Sequence, residues 1–129
     1  NNVNATIDGG EFGRILTWEH MALKIQNNAK VDFINWRINA VKSSSKLTIE
    51  DSTVGILDAT QGSTAPGLGT RLYVDAKSKI DTIILPVHTS SPEKYTISIE
   101  NGATVGKIVV GDQSYSLEAF KTTFPDYLN

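Results

Sequence analysis

Asp8, Gln26, Glu50, Asp75 and Glu100 each stand directly after an aliphatic residue, Ile7, Ile25, Ile49, Val74 and Ile99, at intervals of 18, 24, 25 and 25 positions. If the segments that carry them stack, four carboxylates fall into one outward column. Oxygen ligands contributed by adjacent layers would suit a hard cation such as calcium. Two features oppose that chemistry. Layers about 4.8 Å apart set carboxylates rather far apart to share one ion, and Gln26 interrupts the series. Acidic residues also open turns well and are solvated there, so no metal or other cofactor is assigned.

Lys24, Lys46 and Arg71 are placed to lie on one strand face, flanked by Thr48 and Tyr73. Such a face attracts an anionic polymer. The three cations are split between two columns, and lysine on a strand face also guards against edge pairing. Rings that stack on sugars must be exposed and amphipathic. Trp18 lies beyond the first repeat, Tyr73 points outward between Leu72 and Val74, and Tyr95 ends a loop, whereas Trp36 falls in a core position. Trp18, Arg37, Arg71, Tyr73 and Tyr95 therefore form the candidate ligand-contacting set.

Catalytic chemistry has weaker footing. Asp32 and Asp81 share one position in their repeats, where the other three carry Gly13, Gly55 and Gly106. Two layers separate them, roughly 10 Å, a spacing compatible with inverting glycoside hydrolysis. A bend that wants positive φ, which Asp tolerates, explains the same pattern more simply. His20 and His88 are the only histidines, without an HExxH or G-x-S-x-G motif, and the chain has no cysteine. Zinc and triad chemistry are accordingly not assigned, and no catalytic residue is named.

These residues need a scaffold, and the chain supplies a repeating one. Apolar slots recur five times: Ala5, Ile7, Phe12, Ile15, Thr17; Leu23, Ile25, Val31, Ile34, Trp36; Leu47, Ile49, Val54, Leu57, Ala59; Leu72, Val74, Ile80, Ile83, Leu85; and Ile97, Ile99, Val105, Ile108, Val110. Of these 25 slots, 24 are apolar, against about 10 expected from a 40% hydrophobic chain. The exception is Thr17. Period-2 pairs separated by a polar turn such as Glu100-Asn101-Gly102 read as short strands. A period near 25 residues with so few strands per unit is the mark of a stacked array, in which each unit buries its apolar face only against its neighbours. A β-sandwich also has short strands, but no reason to repeat a fixed internal spacing.

The links between repeats are variable and rich in Ser, Thr, Gly, Pro or Lys, as in residues 37–46, 60–71 and 86–96. Such insertions emerge along one edge. After Val110 the pattern stops, and residues 116–124 read as a short helix, with Ser116 as cap, Glu118 near its positive end and Pro125 beyond it. Leu117, Phe120 and Phe124 share a face, as expected of a cap over the last repeat. The first repeat has no matching cap, which points to an upstream coil, a partner or self-association there. Residues 1–129 are expected to form one domain, coils over about 3–110 and a cap over 111–129, within a longer protein.

The runs Ser98-Ile99-Glu100-Asn101-Gly102-Ala103-Thr104-Val105, Leu47-Thr48-Ile49-Glu50-Asp51-Ser52-Thr53-Val54 and Ala5-Thr6-Ile7-Asp8-Gly9-Gly10-Glu11-Phe12 resemble coils of right-handed parallel β-helix proteins, both pectate-lyase-like and adhesin-like. The resemblance implies an all-β right-handed solenoid of about five coils with a short C-terminal capping helix. It also implies a secreted or bacterial cell-surface protein that faces carbohydrate. Family members either bind glycans or act on polysaccharides, so a binding or adhesin-like module, a small lyase or hydrolase, and an assembly element docking through its first coil all stay open. The formal net charge of −2 argues against a nucleic-acid partner. No apolar run approaches the length of a membrane span.

Overall fold

The computed structural model describes residues 3–17, 21–36, 45–60, 70–85 and 95–125. The chain is mostly strand: β1 (Val3–Asp8), β2 (Glu11–Leu16), β3 (Met21–Gln26), β4 (Lys30–Asn35), β5 (Lys46–Ile49), β6 (Thr53–Asp58), β7 (Thr70–Val74), β8 (Lys79–Leu85), β9 (Tyr95–Ile99), β10 (Thr104–Val110) and β11 (Gln113–Tyr115), followed by one short helix, α1 (Leu117–Thr123). Successive strands alternate between two sheets. One has the order β1-β3-β5-β7-β9, the other β11-β10-β8-β6-β4-β2. Every pairing is parallel except that of β10 with β11.

The register matches the apolar slots. Ala5, Leu23, Leu47, Leu72 and Ile97 are successive partners in the first sheet, as are Ile7, Ile25, Ile49, Val74 and Ile99. In the second sheet Phe12, Val31, Val54, Ile80 and Val105 stack, and so do Ile15, Ile34, Leu57, Ile83 and Ile108. A slip of one residue would turn every one of these side chains outward, so burial itself enforces the alignment. The core lies between the sheets. Ile25, Ile34, Ile49, Val54, Leu57, Leu72, Val74 and Ile80 have no exposed surface. Thr17, the polar slot residue, is buried too, and its Oγ1 donates to the Asn35 carbonyl at 3.4 Å.

The ladders continue around the turns between the two strands of each repeat. Glu50, Asp75 and Glu100 donate their amides to the carbonyls of Ile25, Ile49 and Val74 at 2.8, 3.0 and 2.9 Å. Asn27, Asn28 and Asp51 take positive φ of 60°, 62° and 45° here, a conformation that short polar side chains tolerate. A further inward column, Ala29, Ser52 and Ser78, is fully buried just inside these turns. It escapes an apolar template because two of its members are serines. Their polar atoms are satisfied internally: Ser52 Oγ donates to the Glu50 carbonyl at 2.8 Å, and Ser78 Oγ accepts from the Ser52 amide at 3.3 Å.

The expected positive-φ bend after the third slot is not what the structure contains. None of Gly13, Asp32, Gly55, Asp81 and Gly106 has positive φ. A Cβ at Gly55 or Gly106 would instead fall inside 3.0 Å of the carbonyl oxygen of Asp32 or Asp81 in the preceding repeat. Close backbone approach, not torsion, excludes a side chain there.

At the C-terminal end, Ser116 Oγ accepts from the Ala119 amide at 3.1 Å and starts α1. Phe120 is fully buried in the core, and Phe124 packs on it with ring centroids 5.4 Å apart. Tyr115 of β11 meets Phe124 edge-on at 5.3 Å. The opposite end is thinner. Ala5, Ile7 and Ile15 are only partly buried and Phe12 is 40% exposed, although their partners Leu23, Ile25, Val31 and Ile34 are buried. Among the described residues no helix is long and apolar enough to cross a membrane.

Candidate functional site

Alternation along β3, β5, β7 and β9 sends the residues between slots to the outer face of the first sheet. Two columns result, Thr6-Lys24-Thr48-Tyr73-Ser98 and Asn4-Ala22-Lys46-Arg71-Thr96. Lys46 and Arg71 are direct cross-strand partners, and both are exposed. Adjacent parallel strands lie about 4.8 Å apart, so two cations stand side by side. Lys24 belongs to the other column and is committed elsewhere: its Nζ pairs with Glu50 Oε1 at 3.0 Å. With both groups well exposed, that pair contributes at most about 1 kcal/mol.

The carboxylates after the second slots form one edge of this face, but each has its own partner. Asp8 Oδ1 accepts from the side-chain amides of Gln26 and Asn27. Asp75 accepts from Ser78 Oγ at 2.7 Å, from the Asp51 amide at 3.1 Å and from the Lys77 amide at 3.1 Å. Burial opposes ionisation of Asp75, but these three donors outweigh it and hold the carboxyl below the usual aspartate value. Glu100 accepts the Tyr73 hydroxyl. The carboxylates are therefore engaged separately, and among the described residues no group of three or more His, Asp or Glu could hold a metal ion.

Tyr73 is half-buried within the face. The bond to Glu100 first, then desolvation and the surrounding carboxylates, push its phenol up to about 12. It is thus a fixed, neutral ring beside Arg71, two residues away on the same face of β7.

Of the candidate set, the structure brings Arg71 and Tyr73 together. Trp18 and Arg37 lie outside the described residues, as do His20 and His88; Tyr95 pairs with Thr70 through its backbone, and its side chain is likewise not described. The linking segments were expected to extend to Arg71 and Thr96, but β7 and β9 begin at Thr70 and Tyr95, so Tyr95, expected to end a loop, opens a strand. Asp32 and Asp81 are both exposed on the second sheet. Asp32 lines a shallow cleft of about 260 Å³ with Glu11, Phe12, Gly13 and Lys30, which Asp81 does not reach.

The outer face of the second sheet is less polar than that of the first, a contrast that the slot pattern leaves out. Phe33, Ile56, Ile84 and Val109 are half-buried there and Leu16 is 64% exposed. The Arg14 guanidinium lies 4.7 Å from the centre of the Phe33 ring, a cation–π contact between partnered residues of β2 and β4. The in-between positions of β4, β6, β8 and β10 carry this signal in Phe33, Ile56, Ile84 and Val109. The chain matches no protein-family model, and neither a curated protein nor a solved structure is significantly similar to it.

Proposed function

We propose that the two parallel sheets are the walls of a right-handed β-helix of about five coils, and that the protein is a non-catalytic, exported or cell-surface module that binds glycan through the outer face of its first sheet. The general preference of parallel strands for right-handed crossovers supports the handedness, and the alternation of odd and even strands between two sheets supports the winding. The observation that carries the binding assignment is the in-register exposed pair Lys46 and Arg71 beside the immobilised ring of Tyr73. A flat, regular, polar face of this kind suits an extended sugar polymer, with a ring for stacking and cations for acidic groups. The test is a glycan array with the full chain and its Arg71→Ala and Tyr73→Ala variants. Binding that falls in both variants supports the reading; a flat response of the parent chain across acidic and neutral glycans overturns it.

A second reading has its own observation. Phe12 is 40% exposed while Val31, Val54 and Ile80, its successors in the same column, are at most 2% exposed. An apolar end of this sort fits an assembly element that docks another chain or a second copy on β1 and β2. Light scattering separates the two readings, since a monomer at high concentration counts against self-association and leaves glycan binding untouched.

A further inference from the structure

Asn101 is the only asparagine of the chain that is followed by glycine. Asn101 and Gly102 are exposed in the turn between β9 and β10, which the Ala103 amide closes by donating to the Glu100 carbonyl at 3.1 Å. Gly102 has φ of 105°, and a Cβ there would lie 3.2 Å from Ala76 Cβ and 3.3 Å from the Ala76 carbonyl oxygen. The turn therefore requires glycine.

Among the described residues no acceptor holds the Gly102 amide. Several amides that follow an asparagine or aspartate are tied into the fold, whereas those of Ala29 and Ala76, like that of Gly102, have no acceptor among the described residues, and both of these residues carry a Cβ. Gly9, after Asp8, donates to the Gln26 carbonyl at 2.8 Å, and Asn28, after Asn27, donates to the Asp51 carbonyl at 2.6 Å. Trp36, after Asn35, donates to the Asp58 carbonyl at 2.9 Å, and Ser52, after Asp51, donates to Ser78 Oγ at 3.3 Å. A bonded amide nitrogen must give up its acceptor before it can attack a neighbouring side chain. The Gly102 nitrogen has none to give up and no Cβ to hinder its approach.

We propose that Asn101 is a self-modifying site of the folded protein. The deprotonated Gly102 nitrogen attacks Asn101 Cγ, the new N–Cγ bond closes a five-membered imide, and the Cγ–Nδ2 bond breaks with loss of ammonia. Water then opens the imide at one of its two carbonyls. One opening gives aspartate at position 101, the other an isoaspartyl link in which the backbone runs through the former side chain. Oxidation states are unchanged throughout. Either product sets a new negative charge next to Glu100, the acceptor of Tyr73. The isoaspartyl form also lengthens a turn that packs tightly on Ala76.

The experiment incubates the full chain, folded, in mildly alkaline buffer, with a urea-unfolded sample in parallel, and maps peptides by mass. The expected result is a gain of one mass unit confined to the Asn101 peptide of the folded sample, with isoaspartate detected by enzymatic carboxyl methylation, and loss of both signals in Asn101→Gln. Because Asn101→Gln keeps Gly102, its denaturation midpoint verifies that the variant is folded. Modification only in the unfolded sample, or at another asparagine of the folded chain while Asn101 stays intact, overturns the proposal.

Discussion

The Tyr73 hydroxyl donates to the Glu100 carboxylate, linking the outer face of β7 to the residue that follows β9. Tyr73 is paired with Ser98, so Glu100 is its diagonal neighbour and within reach of a long side chain. The bond joins the last two repeats on the face proposed to bind glycan.

Because Glu100 is the first cause of the raised phenol, Glu100→Gln is expected to bring the Tyr73 titration from about 12 back toward the ordinary tyrosine value of about 10. Ultraviolet titration of tyrosinate checks this, with Tyr73→Phe identifying the transition. The sign for stability follows. A proton held more tightly in the folded state stabilises fully below the unfolded value of about 10, and that contribution is lost as the pH rises through the folded value.

Asp75→Asn is expected to destabilise the chain by roughly 1–3 kcal/mol, since Ser78 Oγ and the Asp51 and Lys77 amides lose a charged acceptor. The folded carboxyl lies below its usual value, so its contribution is present above about pH 4 and is lost as the pH falls through the folded value. Denaturant midpoints of parent and variant should therefore converge in acid. A gap that stays constant down to low pH would contradict the assignment.

Gly55→Ala and Gly106→Ala are expected to destabilise by about 1–3 kcal/mol each, because the new Cβ overlaps the Asp32 or Asp81 carbonyl oxygen. Gly13→Ala, where nothing lies within 4 Å of the added atom, should be close to neutral. Thermal unfolding of the three variants tests close approach against a torsional demand, which would penalise all three alike.

Ile80→Ala and Phe12→Ala remove side chains from one column. Ile80 is fully buried, so its loss should lower stability by about 2–5 kcal/mol. Phe12, at 40% exposure, leaves an open surface rather than a cavity, and its loss should have less than half that effect. Urea midpoints measure both.

Much of the scaffold was legible in the residues, because a sheet core writes itself as alternation: Ile25, Ile49 and Val74 must all face inward once one of them does. The repeated spacing then set the register of β1 to β10, since burial penalises any slip. Capping chemistry likewise announced α1 through Ser116 and Pro125. The buried serines 52 and 78 were hidden, because a polar type enters a core only where partners exist, and partners belong to the tertiary structure.

Site chemistry was less legible than the scaffold. Sequence alone placed Asp8, Glu50, Asp75 and Glu100 in one column and Arg71 and Tyr73 on one face, since period-2 alternation fixes sidedness. Only the tertiary structure decided that each carboxylate is engaged separately, by Gln26 and Asn27, by Lys24, by Ser78 and by Tyr73, because hydrogen bonding depends on distances of a few tenths of an ångström that no spacing encodes. It also decided that glycine at 55 and 106 answers to a neighbouring carbonyl rather than to a torsion. Residue order determines which face a side chain takes; packing against the repeat before it determines what that side chain can do.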